Sequence, residues 1–527
     1  MRRFWCASAL AGVMALAAGA TGAQELKMAV GSEVTSIDPH YHNISPNNAL
    51  AAGIFATLVD RDPQGRLQPS LALSWKPISD TVWEFELRPD VVFHNGSKFT
   101  AEDVAFTIER IPQVVNSPGS FSTYIYSIER VEIIDPLTVR LHTKAPDPLL
   151  PVSMSTVWIL DDETHQGLGT ADFNSGKGAI GTGPYRFVSY RPGEVIELER
   201  NDDYWGEAPD WERVNYRMIT NDAARVAALL SGDVDFINQP PTSDIQRLKN
   251  EPGLVTSEID SLRLFYLLFD QTGEAQFVTD MSGKPLTGPE NPLLDSRVRR
   301  ALTLGIDREA IVSRIMEGNA AATGQFMPEG AKGHVPDIGV PEFDPEEAKR
   351  LLSEAGYPDG FQLTLHGSND RYPNDSLIMQ AVGQMWARIG VPTKVVVAPY
   401  ASYITRASRQ EYSAFQGSWG SSTGDPLVGL RSVFATYDKE RGLGSVNRGR
   451  YSNPELDTLL LQAMQELDEE KREAMVHDVI RMAMEDTAII PLHFQRNIWV
   501  MREGISHVAR MDEHTRPQDV KRDDATR

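Results

Sequence analysis

Apolar and polar residues alternate with a period of two in several short stretches of the chain. Residues 83–87, 138–142 and 195–199 show this alternation, which is typical of strands with one buried face. Residues 262–269, 361–366 and 394–398 are largely apolar and predict buried strands. Strands are therefore expected along the whole chain.

Helices are predicted by the residues at their starts. Thr100 offers an N-cap hydroxyl and Asp103 follows three residues later, which is the arrangement of a capping box. Residues 344–347 and 453–455 each combine a capping side chain, a proline and acids suited to the positive end of a helix dipole. A further helix is predicted over residues 375–389, so the fold class is mixed α/β.

The order of these elements predicts two lobes. A strand, helix, strand succession over residues 361–398 favours a mostly parallel sheet in the second half of the chain. Polar connections near residues 271–292 and a second crossing at residues 489–491 predict a lobe that the chain enters once and leaves once. Two crossing segments form a hinge, which lets lobes close on a ligand.

The first 23 residues have the pattern of a secretory signal peptide. Arg2 and Arg3 precede an apolar run over residues 4–20, and small residues follow up to Ala23. We expect cleavage after Ala23 and export to the periplasm. Cys6, the only cysteine, lies in this segment, so the mature chain has no thiol for a disulfide, a metal site or a nucleophile.

The charge of the chain argues against nucleic acid and lipid as partners. The formal net charge is −22, and loss of Arg2 and Arg3 with the signal peptide takes it to −24. Such a protein repels phosphate backbones and anionic lipid, so we expect no nucleic-acid partner and no direct membrane insertion. A hydrophobic content of 41% is ordinary for a globular protein long enough for more than one core.

Five segments, in order, resemble the family 5 extracellular solute-binding proteins, the peptide, opine and nickel receptors of ABC importers. They are residues 83–104, residues 181–187 with 199–205, residues 298–308, residues 354–361 and residues 451–455. The resemblance implies a two-lobed periplasmic binding protein fold with an extra small subdomain. The expected division is a signal peptide over 1–23, lobe I over 24–66, 178–284 and 491–527, its subdomain over 67–177, and lobe II over 285–490.

Short catalytic and cofactor motifs occur in unsuitable contexts. Residues 420–424 fit G-x-S-x-G, but a nucleophile elbow needs an apolar strand before it and a helix starting at the serine. Residues 176–181 fit G-x-G-x-x-G, but a strand-like stretch follows where a dinucleotide site needs a helix. The eleven histidines show no close pair at metal-ligand spacing, and the pair Asp161 and Asp162 is interpreted as surface or turn residues. We therefore predict no catalytic residues, no cofactor and no protein metal site.

Residues 417–426 are the best candidate for ligand binding. Trp419 could stack on a ligand while Ser418, Ser422 and backbone groups supply hydrogen bonds, and the alternative is that Trp419 fills the core. The resemblance favours the first interpretation, because the family's ligand cleft is lined by a Trp-containing loop at this place.

The chain departs from its peptide-binding relatives near this loop. Peptide receptors of the family carry, three residues after this tryptophan, an aspartate that pairs with the α-amino group of the peptide, and here that residue is Ser422. Asp38 or Asp425 is a candidate replacement, and Ser36 belongs with Asp38 to a segment that resembles the family's first cleft loop. The arginine that dipeptide receptors use for the ligand carboxylate falls at Ser376, and Arg371 is close enough to replace it.

These observations predict a monomeric receptor that captures a small peptide or peptide-like solute and delivers it to the permease and ATPase subunits of an ABC importer. Opine, glycoside and metal-chelate receptors share the same segments, so the ligand stays open. A periplasmic serine hydrolase using Ser422 and a periplasmic chaperone are the alternatives from other classes. A peptide-like ligand without a free amine is favoured, because an unpaired ammonium is costly to bury.

Overall fold

The computed structural model describes residues 24–274, 277–421 and 423–523, so the predicted signal peptide lies outside the described residues. The strands are β1 Glu25–Val30, β2 Val59–Arg61, β3 Leu67–Pro69, β4 Ala72–Ser79, β5 Val82–Leu87, β6 Ile128–Asp135, β7 Thr138–Thr143, β8 Tyr185–Arg191, β9 Val195–Arg200, β10 Arg213–Met218, β11 Phe236–Asn238, β12 Leu254–Phe269, β13 Val278–Thr279, β14 Ala320–Ala322, β15 Gln362–Ser368, β16 Thr393–Ala398, β17 Ala414–Gly420, β18 Ile490–Arg502, β19 Ile505–His507 and β20 Val520–Arg522.

The α-helices are α1 Ser45–Ile54, α2 Ala101–Arg110, α3 Ser122–Ile125, α4 Leu150–Met154, α5 Asp162–His165, α6 Thr170–Asn174, α7 Asp222–Ser231, α8 Thr242–Lys249, α9 Ser296–Leu304, α10 Arg308–Arg314, α11 Pro345–Glu354, α12 Asp375–Arg388, α13 Tyr400–Ser408, α14 Pro426–Val433, α15 Pro454–Ala463 and α16 Glu469–Glu485. None of the helices in the described ranges combines the length and hydropathy needed to cross a membrane.

A mixed sheet of twelve strands connects the two lobes. Its order is β13-β15-β17-β12-β18-β11-β1-β10-β9-β8, with β14 added to β18 and β16 added to β15. We call the part built on β1 and β8 to β11 lobe I, and the part built on β13 and β15 to β17 lobe II. A separate four-stranded antiparallel sheet, β4-β5-β7-β6, forms the small subdomain beside lobe I. The predicted α/β class is confirmed.

The long strands β12 and β18 belong to both lobes. Leu254 at the start of β12 packs in a lobe I core, whereas Leu262 and the residues after it pack in lobe II cores. The antiparallel pairing of the two strands shifts its register between Asp260 and Leu264. Along β12 the packing therefore changes from a lobe I core to lobe II cores, and the crossing expected near residues 271–292 stays a prediction. The residue boundaries of the domains stay a prediction.

The locally predicted elements agree with the structure. Thr100 and Asp103 form the capping box at the start of α2, with the Asp103 carboxylate 2.7 Å from the Thr100 backbone nitrogen. Asp344 and Asn453 cap α11 and α15 through their side chains. β15 pairs in parallel with β16 across α12, as the βαβ prediction requires. The sheet of lobe II is nevertheless mixed, because β12 runs antiparallel to β17.

Candidate functional site

A cavity of about 710 Å³ lies between the two lobes, with the crossing strands at its floor. Its volume is within the range of small-molecule sites. The lining residues come from both lobes and from the crossing strands: residues 30–32, 44–46, 49, 216, 222, 225, 238–242, 245 and 513 and 515 on the lobe I side, residues 316, 319 and 370–373 on the lobe II side, and residues 263 and 495–498 on β12 and β18. We call this cavity the interlobe cleft.

The lobe II wall of the cleft carries Arg371 and Tyr372. Arg371 is exposed, and its guanidinium carbon lies 5.2 Å from the ring centre of Tyr372 and 5.8 Å from that of Tyr400. Among the described residues Arg371 makes no ion pair, so its positive charge is available to a ligand. Burial, followed by the neighbouring Tyr400, raises the pKa of the Tyr372 phenol, so this ring stays neutral and can donate a hydrogen bond.

The floor of the cleft holds a second guanidinium. Arg263 of β12 donates from Nε to Oε1 of Glu513 at 2.8 Å and from Nη2 to Oε2 at 3.1 Å. Both side chains line the cleft. Burial alone would lower the pKa of Arg263, but Glu513 raises it, so the guanidinium keeps its charge.

The lobe I side of the cleft is held in shape by Arg225. Its guanidinium is buried and donates to the backbone oxygens of Asn238, Ile219 and Gln239, with distances between 2.6 and 3.1 Å. A further donation reaches Asp222 at 2.7 Å. Since these bonds use the donors of Arg225, this residue shapes the wall around residues 238–240 and is not a free cation.

Two helices begin at the cleft without side-chain caps. α1 starts after Ile44 and α8 starts after Pro241, and neither residue provides a hydrogen-bonding side chain. Free N–H groups at the start of a helix favour an anion, and α1 has fewer of them because Pro46 in its first turn has no N–H. Together with Arg371, they make the cleft suited to a ligand carboxylate.

The predicted residues of β17 lie at the edge of this wall. Ser418 pairs in register with Phe265, whose ring meets Tyr372 edge to face at 5.8 Å. The Ser418 hydroxyl lies close enough to lower the pKa of Tyr372, but it makes no hydrogen bond of normal geometry among the described residues. Ser418 is therefore placed beside the cleft with its hydroxyl unsatisfied.

Trp419 is directed to the opposite face of β17. It is half-buried and packs against the lobe II core that contains Phe326 and Leu427. Its Nε1 would lie 2.7 Å from a Cβ added to Gly429 of α14, which shows how closely the indole approaches that helix. In the described residues Trp419 does not line the cleft, so a role in ligand binding stays a prediction.

The rest of the predicted loop is divided between described and undescribed residues. Ser422 lies outside the described residues. Asp425 is buried at the start of α14, where its carboxylate accepts from the Leu427 backbone nitrogen at 2.9 Å. Burial raises its pKa, and the Lys332 ammonium is 4.0 Å away. Asp425 acts as a helix cap at this position, and a contact with ligand stays a prediction.

Ser36 and Asp38 are buried in lobe I. Asp38 accepts from Nη2 of Arg110 at 2.8 Å and from the Thr170 hydroxyl at 2.7 Å. Burial alone would raise the pKa of Asp38, but Arg110 holds it below its usual value. The Ser36 hydroxyl donates to Asn174 at 3.0 Å. Neither residue lines the cleft in the described structure, so Arg371 is the predicted site residue that the structure places there.

Three acids of the subdomain lie close enough together to hold a metal ion, namely Asp103, Asp161 and Asp162. Asp161 was interpreted as a surface or turn residue. It is buried and accepts from Ser97 and Asn95, so it is not at the surface, and its side chain caps α5 as a turn residue does. Burial raises the pKa of Asp103 to about 7. Because hydrogen-bond donors already occupy these oxygens, the arrangement is that of helix caps.

Sequence reasoning missed Arg263, Tyr372 and Glu513. Arg263 had a usable signal, because it is the one charged residue within the apolar stretch over residues 262–269. Glu513 lies in a polar C-terminal segment with no motif, and Tyr372 follows Arg371 in a loop. Their proximity depends on tertiary structure.

Comparison with known proteins places the chain in a family. Residues 66–441 match the model of the bacterial extracellular solute-binding proteins, family 5 (Middle). The periplasmic oligopeptide-binding protein OppA of Escherichia coli is 28% identical, with 95% of this chain and 93% of that protein covered. The glutathione-binding protein GsiB of Pectobacterium atrosepticum is 26% identical, with 91% and 90% covered.

A solved structure has the same architecture. The structure of HbpA2 from Haemophilus parasuis superimposes with a TM-score of 0.81 at 24% sequence identity, and the match covers 95% of this chain and 100% of that chain. This likeness supports the two-lobed α/β fold.

Proposed function

The chain belongs to the bacterial extracellular solute-binding proteins of family 5, and from this membership we propose that it captures a small peptide-like solute in the interlobe cleft for an ABC importer. The proposal places it in the periplasm, where it hands the solute to permease subunits. The relatives named for oligopeptides and for glutathione support this class of ligand. The proteins of this family are transport receptors, and we propose that this chain likewise carries out no chemistry.

The observation that carries the proposal is the free guanidinium of Arg371 on the cleft wall. A desolvated carboxylate needs charged or backbone donors. Arg371 supplies a charged donor in the same cleft that is lined by the uncapped starts of α1 and α8. Among the described residues that line the cleft, Asp222 contacts Arg225 and Glu513 contacts Arg263, whereas Asp370 is exposed, makes no ion pair and accepts from the Tyr400 backbone nitrogen. The cleft therefore offers Arg371 to a carboxylate of the solute, and Asp370 is the acid that could meet an amine.

Ligand that co-purifies with the protein tests this proposal directly. The protein should be denatured after purification, and the released compounds identified by mass spectrometry. We expect a carboxylate-bearing peptide or modified peptide. A neutral glycoside as the released compound would contradict the ligand class while leaving the receptor function intact.

Closure of the lobes tests the receptor function. Because β12 and β18 are the crossing strands, ligand should bring the lobes together and reduce the radius of gyration in small-angle scattering. A saturated sample with an unchanged radius would contradict the mechanism. A fluorophosphonate probe should not label the protein, whereas labelling at Ser422 would support the hydrolase alternative.

A further inference from the structure

The ion pair between Arg263 and Glu513 faces the space that a solute would fill. The two contacts of 2.8 and 3.1 Å join Nε and Nη2 of the arginine to both oxygens of the glutamate. The side chains are 22% and 20% exposed, so solvent reaches the pair from the cleft. Glu513 therefore presents its carboxylate to Arg263 in the way that a ligand carboxylate would.

The backbone conformation at Glu513 is fixed by hydrogen bonds of the neighbouring residues. Its φ of 66° lies in the left-handed region, which is uncommon for a residue with a side chain and is stabilised by its surroundings. On one side Asp512 is fixed by Arg510 at 2.9 Å. On the other side the Thr515 hydroxyl accepts from Trp499 at 2.9 Å and from Asn238 at 3.1 Å. These buried contacts aim Glu513 at the cleft floor.

The side chain of Arg263 packs beside Gly420 of β17 and remains partly exposed. It is opposite Gly420 in the β12 and β17 pairing, and a Cβ added to Gly420 would lie 2.8 Å from the guanidinium carbon. Any larger residue at 420 would therefore displace the arginine. Tyr372 and Tyr400 are near Arg263, and the guanidinium of Arg371 lies over the same two rings. The guanidiniums of Arg263 and Arg371 thus both lie near the rings of Tyr372 and Tyr400. Arg263 is already paired with the carboxylate of Glu513.

On the basis of the proposed function, we propose that Glu513 is a resident counter-ion of Arg263 and that a carboxylate of the solute competes with it for the guanidinium. The preferred solute then carries two carboxylates, one bound by Arg371 and one that takes the place of Glu513 at Arg263. Glu513 sets specificity, because a solute without the second carboxylate gains nothing by displacing it. It also keeps Arg263 paired while the cleft contains no solute.

Calorimetry with reduced glutathione, a peptide with two carboxylates, tests the proposal on the mature protein. Glu513→Gln keeps the shape of the side chain and removes its charge, so it should bind glutathione at least about tenfold more tightly than wild type. The diethyl ester of glutathione should bind both proteins equally. Adding Arg263→Gln to Glu513→Gln should abolish the gain.

Glu207→Gln is the matched control, because Glu207 is also an acid in an ion pair, with Lys521, but does not belong to the residues that line the cleft. It should change glutathione affinity by less than about threefold, as expected for a general electrostatic effect. Glu513→Asp, whose shorter side chain cannot make the bidentate contact, is the second variant if Glu513→Gln does not fold. An unchanged or weaker affinity in the folded Glu513 variant, no detectable binding by it, or an equal gain in Glu207→Gln would overturn the proposal.

Scattering on the same samples separates this proposal from the receptor function. If wild type binds the ester as tightly as the acid and its lobes close, the receptor function stands and the role of Glu513 falls. If Glu513→Gln gains affinity for glutathione but no sample shows closure, the carboxylate site stands and the receptor function falls.

Discussion

The loop around Asp38 and the cleft wall around Arg371 contain similar side chains, but their arginines differ in burial and in ion pairing. Each combines polar residues with an arginine over an aromatic ring: Arg110 lies 4.6 Å from the centre of Phe173, and Arg371 lies 5.2 Å from that of Tyr372. Arg110 is buried and fully engaged with Asp38, whereas Arg371 is exposed and has no acid partner among the described residues. The difference supports the proposal that the first region stabilises lobe I while the second is available to a solute.

The buried pair should give the largest effect on stability. Asp38→Asn leaves the charge of Arg110 buried without its counter-ion, so we expect the free energy of unfolding in urea to fall by about 3 kcal/mol. Asp202→Asn is the control, because its pair with Arg200 leaves the Asp202 side chain 78% exposed and should contribute less than about 0.5 kcal/mol. If Asp38→Asn kept wild-type stability and lost ligand affinity, Asp38 would belong to the binding site.

Trp419, on the other face of β17, allows a second test of whether a residue serves packing or ligand binding. Its packing against the lobe II core predicts that Trp419→Ala lowers the free energy of unfolding by about 2 kcal/mol, because half of a large side chain leaves a cavity. Trp419→Phe should lose less than half of that. Loss of ligand affinity at unchanged melting temperature would instead support the stacking role that the sequence suggested.

Arg371 should affect binding without affecting folding. For a tripeptide that binds the wild type, Arg371→Gln should weaken binding by about tenfold, because a charge-assisted hydrogen bond to the carboxylate is lost. The C-terminal amide of the same tripeptide should lose little. Arg388→Gln, at the exposed end of α12, is the matched control and should bind as wild type does. Equal losses for the acid and the amide would show that Arg371 does not read the carboxylate.

Local signals in the sequence predicted the elements that form locally. Thr100 and Asp103 lie three residues apart, so the capping box at α2 depends on neighbouring residues alone, and the structure contains it. The βαβ unit ending at β16 was predicted for the same reason. Such elements need no knowledge of distant parts of the chain.

The cleft could be predicted only in part, because its walls come from segments far apart in the chain. Glu513 and Arg263 are 250 residues apart, and no pattern in either segment indicates the other. Ser36 and Asp38 were predicted to bind ligand because their segment resembles the family's first cleft loop, but whether their hydrogen bonds are satisfied depends on Asn174, Thr170 and Arg110. Whether a polar group finds a hydrogen-bond partner therefore depends on the tertiary structure.

The comparison can be extended to His493, a buried polar residue outside the cleft whose ring nitrogens lack hydrogen-bond partners among the described residues. It lies in β18 with its ring stacked on Phe265 at 5.2 Å, and neither ring nitrogen has a hydrogen-bond partner among the described residues. Burial lowers its pKa to about 4. Unfolded chains bind the same proton near pH 6.5, so this residue makes the protein lose stability as the pH falls from about 6.5 to about 4.

His493→Leu should therefore make the pH dependence of stability shallower by about 1 kcal/mol per pH unit within that window. The measurement is a series of urea unfolding curves between pH 7.5 and pH 4.5. Gln495→Leu is the control on the same face of β18, because it also removes an unpartnered buried nitrogen but no titrating group. We expect it to shift all midpoints equally and to leave the slope unchanged. If His493→Leu gave a curve parallel to that of wild type, the imidazole would be in contact with water in the native protein, and the crossing strands would be hydrated behind the cleft floor.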